Sequence, residues 1–230
     1  MTLARDGLRE MAISTLTLGV GAGLAAWAGA TGAPLWWALA APLAALWVFT
    51  LAFFRDPHRV VPAEPGLLVS PADGTVTEVS RLERYDGLDG PALKISIFLS
   101  VFNVHINRSP CGGRVVKTDY RPGEFLDARH PECGVRNESM TILLDPEGAV
   151  PGPVVVRQVA GLIARRIICR AKPGDRLERG ERFGLIKFGS RTELILPADE
   201  TVQSAVRVGD TVKGGSTVLV RVGRQVGNGE

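Results

Sequence analysis

The stretch LIKFGSRTELILP (residues 185–197) decides the fold of the second half of the chain, because two apolar runs flank a short polar insert. This pattern predicts a strand, an interruption and a second strand. The insert, residues 189–193, lacks the Asn-Gly, Asp-Gly and Pro-Gly pairs that form tight hairpin turns. Taken alone, the Gly189-Ser190 pair inside it is typical of a bulge or an open turn.

Runs of similar character follow one another from residue 57 onward, separated by Gly, Pro and Asp. ALKISIFL (92–99), SMTILL (139–144) and VVVRQVA (154–160) alternate apolar and polar residues or are rich in β-branched ones, as strands are. Long amphipathic helical patterns are not evident in this part of the sequence. We therefore expect residues 57–230 to form a mainly β domain, a β-sandwich or barrel-sandwich with some α+β character.

A short pattern recurs within this domain. PGDRLERG (173–180) and VGDTVKGG (208–215) both contain GDxxxxG, at an offset of 35 residues, and apolar residues follow each copy. Such turns are found in compact β-sandwich modules of the biotinyl and lipoyl carrier type. We interpret the repeat as architecture.

The amino-terminal part of the chain has the composition of a membrane anchor. No charged residue occurs from Met11 to Phe54, a run of 44 residues that is long enough for two membrane crossings. AGATGAP (28–34) in its middle is rich in Gly and contains Pro, which predicts a turn between helices over 11–30 and 34–54. A cleavable signal peptide is disfavoured, because a second uncharged span follows the first.

Charges on both flanks predict the orientation of this hairpin. Arg5 and Arg9 precede it, and Arg55 and Arg59 follow it. The positive-inside rule then places both ends on the cytoplasmic side. We expect residues 1–56 to anchor the protein in the cell membrane, with the β domain on the cytoplasmic face.

Composition disfavours two classes of partner. The chain has 27 basic and 24 acidic residues, and they are interspersed, so nucleic acid is not an expected partner. Cys111, Cys133 and Cys169 form no CxxC pair, and the few histidines do not supply zinc-ligand spacing. We therefore expect no metal site, and free cysteines in a reducing compartment.

Three features could contribute side chains to one site. Asp73 lies in SPADG (70–74), where an Asp before Gly is most often a turn residue. His105 lies in FLSVFNVHINRSP (98–110), between apolar residues and a polar patch, where a lone His is more often structural than functional. The third feature is the Gly189-Ser190 pair.

Together and in this order, these motifs resemble one family, the phosphatidylserine decarboxylase proenzymes. The resemblance extends over nearly the whole chain and is carried by four motifs behind the hairpin: FFRDPHR (53–59), SPADG (70–74), NVHINRSP (103–110) and FGS (188–190). The length and the FGS form are similar to the short bacterial and archaeal branch.

The resemblance implies that the chain cuts itself between Gly189 and Ser190. Ser190 would attack the Gly189 carbonyl, and elimination and hydrolysis would then convert Ser190 into a pyruvoyl group. The products would be a large chain, 1–189, and a small chain, 190–230, which remain associated. The pyruvoyl ketone would take up the amine of a serine phospholipid and accept electrons as CO2 leaves, giving phosphatidylethanolamine without a metal.

The resemblance also implies roles for other residues. His105 is the expected proton donor in decarboxylation, and Asp73 could orient the base for self-cleavage in a Ser-His-Asp relay. Longer relatives carry a second histidine where this chain has Arg108. Either His105 serves both reactions, which we favour, or Asp73 activates Ser190 more directly. Arg108 could bind the substrate's phosphate or carboxylate, or form a surface salt bridge; His58 and His130 are expected to be surface residues.

Other functions remain as alternatives. The same chemistry could act on another serine phospholipid, because the reacting head group is shared. A non-enzymatic membrane-anchored carrier or adaptor module would need an exposed lysine between methionines, and Lys187 has no such neighbours. A serine hydrolase would need a GxSxG elbow, which FGSRT (188–192) lacks. Both of these latter classes predict an uncut chain.

Overall fold

The computed structural model describes residues 2–130, 132–162, 166–187 and 189–223. Phe188 of the FGS motif and residues 224–230 of the expected small chain lie outside the described residues. The chain divides into two compact units, residues 1–58 and 59–230.

Two helical spans dominate the first unit. The first consists of a 3₁₀ turn (Arg5–Gly7), helix α1 (Leu8–Ser14), a π-helical segment (Thr15–Gly19) and helix α2 (Val20–Ala30). The second consists of a 3₁₀ turn (Pro34–Trp36) and helix α3 (Trp37–Phe53). A short ladder between β1 (Thr2–Leu3) and β2 (Arg55–Asp56) brings the two ends of the hairpin together.

Both spans are long and apolar enough to cross a membrane, at 26 and 20 residues. They pack where glycines face tryptophans: a Cβ on Gly19 would lie 3.1 Å from the Trp47 ring, and one on Gly29 would lie 2.8 Å from Trp37. Small residues allow such close helix packing. The predicted helical hairpin is confirmed, although its first helix begins at Arg5 rather than at residue 11 because the charged segment is helical too.

The second unit is built of short strands, as predicted. Its strands in the described part are β3 (Leu67–Val69), β4 (Gly74–Leu82), β5 (Ala92–Leu99), β6 (Ile106–Arg108), β7 (Gly113–Arg121), β8 (Ser139–Pro146), β9 (Val154–Val159), β10 (Ile167–Cys169), β11 (Arg176–Leu177), β12 (Arg182–Ile186), β13 (Ser190–Pro197), β14 (Val202–Ser204), β15 (Thr211–Val212) and β16 (Val218–Val222). One short helix, α4 (Cys133–Arg136), interrupts them.

The strands form one large antiparallel sheet and two small ones. The large sheet has the order β11-β7-β8-β9-β13-β5-β4-β15, and the small sheets have the orders β10-β12-β6 and β14-β16-β3. Apolar side chains from all three sheets share the main core, among them Leu194 of β13, Phe183 of β12 and Leu219 of β16. The expected mainly β fold with an amino-terminal helical pair is confirmed.

Strand β13 lies in the middle of the large sheet, between β5 and β9. Seven of its eight residues are buried, which explains why its sequence reads as an almost continuous apolar run after Glu193. Leu194 and Leu196 belong to the main core, and Ile195 to a smaller cluster on the other face. Because successive side chains of a strand point to opposite faces of the sheet, Ser190 and Thr192 lie on the same face as Leu194.

The second unit contains an internal duplication larger than the GDxxxxG repeat. Strands β3 and β16 pair with a bulge between Val218 and Val220, and β6 and β12 pair with a bulge between Arg182 and Gly184. After each first strand comes a Ser-Pro pair, residues 70–71 and 109–110. The two copies exchange hydrogen bonds: the Val69 amide donates to the Pro110 carbonyl and the Arg108 amide to the Pro71 carbonyl, both at 2.9 Å.

The GDxxxxG turns complete the two copies. The Val115 amide donates to the backbone carbonyl of Asp175, and the Val76 amide donates to the backbone carbonyl of Asp210. The two turns end at Gly180 and Gly215. Both glycines have left-handed backbone angles, φ +79° and +77°, which a residue without Cβ adopts readily. The repeat seen in the sequence is therefore one part of a two-fold pseudosymmetric core.

Candidate active site

Ser190 opens strand β13 at the polar end of the core face. It is completely buried, and its Oγ has no hydrogen-bond partner among the residues that the structure describes. Leaving a buried hydroxyl unpaired costs about 1–3 kcal/mol, so such groups are rare and concentrate where chemistry occurs. Ser190 shares this property with a few other buried polar side chains, among them Gln158 and Glu193; its role as a reacting group stays a prediction.

Gly189 holds the peptide unit before Ser190 in an unusual conformation. Its φ of +65° lies in the left-handed region, which favours glycine. Its amide donates to Nε2 of His105 at 3.3 Å. Its carbonyl oxygen packs so closely on Gly161 that a Cβ there would collide with it. Gly189 is thus held at its amide by His105 and at its carbonyl by Gly161.

His105 reaches this position because β6 pairs with β12, and the Ile186 amide donates to the His105 carbonyl at 3.2 Å. The imidazole is completely buried. Nδ1 lies 3.0 Å from the Asn103 carbonyl, which can only accept, so Nδ1 carries the proton. Nε2 is then the unprotonated nitrogen, in agreement with its contact to the Gly189 amide. His105 therefore presents its unprotonated nitrogen to the amide of Gly189.

A tight turn over residues 100–103 positions the Asn103 carbonyl. The Asn103 amide donates to the Ser100 carbonyl at 2.9 Å. The Asn103 side-chain oxygen accepts from both the amide and the hydroxyl of Ser100, each at 2.8 Å. This turn fixes the orientation of the imidazole through its backbone.

A buried polar network lies beside the site on the same face of the large sheet. The Asn107 side chain donates to the Thr192 hydroxyl at 3.0 Å and accepts from the Gln158 amide at 2.8 Å. All three residues are completely buried. The network ties β6, β9 and β13 together, which fixes the strand that begins with Ser190.

Asp73 of the SPADG segment is held by partners other than His105. Its carboxylate accepts from Arg59 at 2.6 and 2.9 Å and from the Gly214 amide at 2.8 Å. His105 Nδ1 instead lies on the Asn103 carbonyl. The structure thus joins the SPADG and NVHINRSP segments through the Pro71–Arg108 hydrogen bond, and the Ser-His-Asp relay stays a prediction.

Arg108 is 7% exposed, and its Nη1 donates to the Gly180 carbonyl at 3.0 Å. A Cβ on Gly215 would lie 2.9 Å from its side chain. The guanidinium therefore passes between the ends of the two GDxxxxG turns. The side chain is thus buried rather than at the surface, and its role in substrate binding stays a prediction.

A cavity of about 340 Å³ opens next to Gly189. Its apolar wall consists of Phe98, Val101, Ala128 and Leu162, and its polar wall includes Ser100, Asp127 and Arg129. Arg129 binds Asp127 through two nitrogens, at 3.0 and 2.7 Å, and lies over the Phe98 ring. This hydrogen bonding lowers the pKa of Asp127 to about 2. A larger groove of about 480 Å³, lined by Arg84, Lys117 and other charged residues, shares none of these residues and does not include the Gly189-Ser190 pair.

Gln158 and Gly161 lie beside the candidate site and were not predicted from the sequence. A glutamine inside VVVRQVA (154–160) is a polar residue in an apolar strand, and that signal could have indicated a buried network. Gly161 gave no signal, because its contact with Gly189 joins distant parts of the chain. His58 and His130 are exposed, as expected, and within the described ranges no three His, Cys, Asp or Glu side chains are grouped to hold a metal ion.

Known proteins similar to this chain belong to one family. The family model for phosphatidylserine decarboxylase matches residues 46–220. A phosphatidylserine decarboxylase proenzyme of Rhodopirellula baltica is 45% identical over 223 residues, which make up 96% of this chain and 88% of that protein. The proenzyme of Symbiobacterium thermophilum is 52% identical over 186 residues, covering 81% and 85% of the two chains.

A third such proenzyme, from Trichlorobacter lovleyi, is 49% identical over 189 residues, covering 81% and 84% of the two chains. These matches confirm the resemblance drawn from the four motifs, and with it the expectation of an enzyme of the decarboxylase class. The chain belongs to the phosphatidylserine decarboxylase family.

Proposed function

We propose that this protein cuts itself between Gly189 and Ser190, converts Ser190 into a pyruvoyl group and decarboxylates phosphatidylserine to phosphatidylethanolamine. The observation that supports the proposal is the buried Ser190 hydroxyl, which has no hydrogen-bond partner among the described residues, next to a left-handed Gly189 whose amide donates to the unprotonated nitrogen of His105. A structural bulge would need none of these features.

Self-cleavage begins when Ser190 Oγ attacks the Gly189 carbonyl carbon while His105 Nε2 takes the hydroxyl proton. The peptide bond breaks, the Ser190 nitrogen receives a proton, and an ester forms. Loss of the α-proton of residue 190 then breaks its Cβ–O bond, so Gly189 keeps the oxygen as a carboxylate. Water hydrolyses the resulting dehydroalanine, which releases ammonia and leaves a pyruvoyl group at residue 190.

The fold suits a chain that must survive this cut. Strand β13 pairs with β5 over all eight of its residues and with β9 over five. Those pairs, and the packing of Leu194 and Leu196 in the core, do not depend on the bond to Gly189. We therefore propose that chains 1–189 and 190–230 stay associated, with the new terminus held at the cavity.

For decarboxylation, the pyruvoyl group supplies a carbonyl that binds the serine amine and accepts the electrons released with CO2. His105 is proposed to hold and deliver the proton that replaces CO2. The largely apolar wall of the cavity beside Gly189 favours departure of neutral CO2 over retention of a carboxylate. Arg108 is proposed to attract the substrate's phosphate or carboxylate by its charge, while one NH group stays on Gly180.

Asp73 is proposed to support self-cleavage indirectly, without contact to the reacting atoms. Through Arg59 and the Gly214 amide it fixes the SPADG turn, whose Pro71 carbonyl receives the Arg108 amide. This would hold the segment that carries His105. The apolar helices are compatible with membrane association, and we propose that they anchor the enzyme with its β unit on the cytoplasmic side.

The test uses the purified full-length chain in detergent. We expect wild-type protein to resolve into two chains on a denaturing gel and to release CO2 from phosphatidylserine. Ser190→Ala should remain one chain without activity, whereas Ser204→Ala, an exposed serine of β14, should behave as wild type. An uncut wild-type chain, or equal CO2 release by Ser190→Ala, would contradict the proposal.

A further inference from the structure

We propose that Gln158 and Thr192 hold the water molecule that hydrolyses the dehydroalanine formed at residue 190. The proposal rests on the proposed function and assigns residues to the last step of self-processing, the release of ammonia. Both act as positioning residues, because an amide and an aliphatic hydroxyl orient a water by hydrogen bonds without taking its proton.

Ser190, Thr192 and Gln158 are neighbours on the inner face of the large sheet, the face that carries Leu194 of the main core. Gln158 of β9 stands directly across the ladder from Thr192, which lies two residues along β13 from Ser190. Residues opposite each other, or two apart on one strand, point to the same face. All three side chains are completely buried.

The side-chain amide of Gln158 has one atom satisfied and one unsatisfied. Its Nε2 donates to Asn107 Oδ1 at 2.8 Å and to the Ile168 carbonyl at 3.4 Å. A backbone carbonyl can only accept, which fixes the nitrogen on that side of the amide. Oε1 is then a buried acceptor, and it has no hydrogen-bond partner among the described residues.

Thr192 and Ser190 supply the complementary groups. The Thr192 hydroxyl accepts from Asn107 Nδ2 at 3.0 Å, and within the described ranges its own hydrogen has no acceptor. One water that donates to Gln158 Oε1 and accepts from Thr192 satisfies both atoms. Ser190 Oγ, unpaired within the same ranges, is its third contact. Buried waters typically make about three hydrogen bonds of this kind.

The last step of self-processing consumes one water at residue 190. The dehydroalanine first becomes its imine tautomer, as a proton moves from nitrogen to Cβ and completes a methyl group. The water oxygen then adds to Cα and becomes the keto oxygen of the pyruvoyl group. The C–N bond breaks, and ammonia leaves with both water hydrogens. Because residue 190 is completely buried, a water already held beside it gives this addition the advantage of proximity.

The experiment follows the full-length precursor after cell-free synthesis into nanodiscs. Samples are quenched at intervals into denaturant with cyanoborohydride, which reduces the imine to an amino-terminal alanine that Edman degradation reads. Ends that already carry the pyruvoyl group remain blocked. Gln158→Leu, which lacks the acceptor for the water, should still be cut, but its fraction of alanine ends should exceed that of wild type about tenfold.

Two further variants test the same water, and one is a control. Thr192→Val keeps the shape of the side chain without its hydroxyl, so it should also accumulate alanine ends, whereas Thr192→Ser should not. Gln203→Leu changes an exposed glutamine of β14 and should behave as wild type.

Blocked ends formed at the wild-type rate in either Gln158→Leu or Thr192→Val would overturn the proposal. Failure of both variants to be cut would overturn it too, since the two residues would then serve the cut itself. Failure of the proposed function is distinguishable, because the wild-type chain would then stay uncut and no new amino terminus would form.

Discussion

The two copies of the internal duplication have the same backbone and different chemistry. One copy contains β3 and β16, the other β6 and β12, and each has a bulge at the same place in the pair. Both have Ser-Pro after the first strand, and in both the serine hydroxyl donates to the carbonyl two residues on, Ala72 at 2.6 Å and Cys111 at 2.7 Å. The shared residues therefore build the fold.

Several residues of the candidate site stand at positions at which the two copies differ. His105 stands where the other copy has Gly66, and Asn107 where it has Leu68. Arg108 stands where the first copy has Val69. Asp73 belongs to the first copy and corresponds to Gly112 of the second. The candidate site therefore uses residues that break the pseudosymmetry of the backbone. The comparison predicts that changes at differing positions alter self-cleavage, and changes at shared positions alter stability.

The largest effect is expected for His105→Gln. Glutamine keeps a polar side chain but removes the base at Nε2, so self-cleavage should slow by about 100-fold or more. The measurement is the fraction of uncut chain with time after synthesis. His130→Gln, at an exposed histidine, serves as the control and should cut normally.

This variant also separates the two assignments of the base. A His105→Gln chain that is cut at the wild-type rate yet fails to decarboxylate would assign His105 to decarboxylation alone. Asp73 would then be the candidate that activates Ser190.

A smaller effect is expected for Asp73→Asn. The change weakens charge-assisted hydrogen bonds to Arg59, each worth about 1.5–3 kcal/mol. If the loss raises the free energy of the transition state for self-cleavage, cleavage slows by about tenfold to a hundredfold. Asp119→Asn, which weakens a more exposed pair with Arg121, is the control. Full-speed cleavage of Asp73→Asn would remove Asp73 from the site.

Gly161→Ala should slow cleavage by about tenfold. The new methyl group meets the Gly189 carbonyl oxygen and must displace the bond that Ser190 attacks; crowding of this kind costs about 1–3 kcal/mol. Gly112→Ala is matched to it, since its Cβ would have no neighbour closer than 3.9 Å. Added hydroxylamine, which cuts esters, would distinguish slow ester formation from slow elimination. Equal cleavage by the two variants would contradict the role given to Gly161.

The smallest effects are expected at shared positions. Ser70→Ala and Ser109→Ala each remove the buried hydrogen bond from the serine hydroxyl to the carbonyl two residues on, so each should lower the free energy of unfolding by about 1 kcal/mol. Melting temperatures measured in the Ser190→Ala background, where every chain is uncut, should fall by similar amounts. Cleavage in the natural background should be unchanged. If only one of the two variants blocked cleavage, the two serines would not have equivalent structural roles.

The sequence was sufficient for the elements whose pattern is local. LIKFGSRTELILP (185–197) predicted the strands that became β12 and β13, and the uncharged run from Met11 to Phe54 predicted the helical pair. The duplication was only partly visible, because its equivalence lies in backbone hydrogen bonds and few side chains are shared. GDxxxxG was detectable, whereas the matching of residues 66–76 with 105–115 was not.

The candidate site, like the fold, was predictable only where the sequence pattern is local. Family resemblance predicted Ser190, His105 and Asp73 as site residues, but the contacts of these residues depend on other strands and turns. Arg59 with Asp73, Gly161 with Gly189 and Asn103 with His105 are contacts that depend on how the chain folds back on itself. No periodicity in a single sequence encodes them.

Intact mass of the purified wild-type protein tests the central claim most directly. We predict two species: a large chain ending at Gly189 and a small chain beginning at residue 190, blocked to Edman degradation and lighter by one ammonia than the same chain with a free serine terminus. A single species of the full 230 residues, or a small chain with an unmodified serine, would contradict the account.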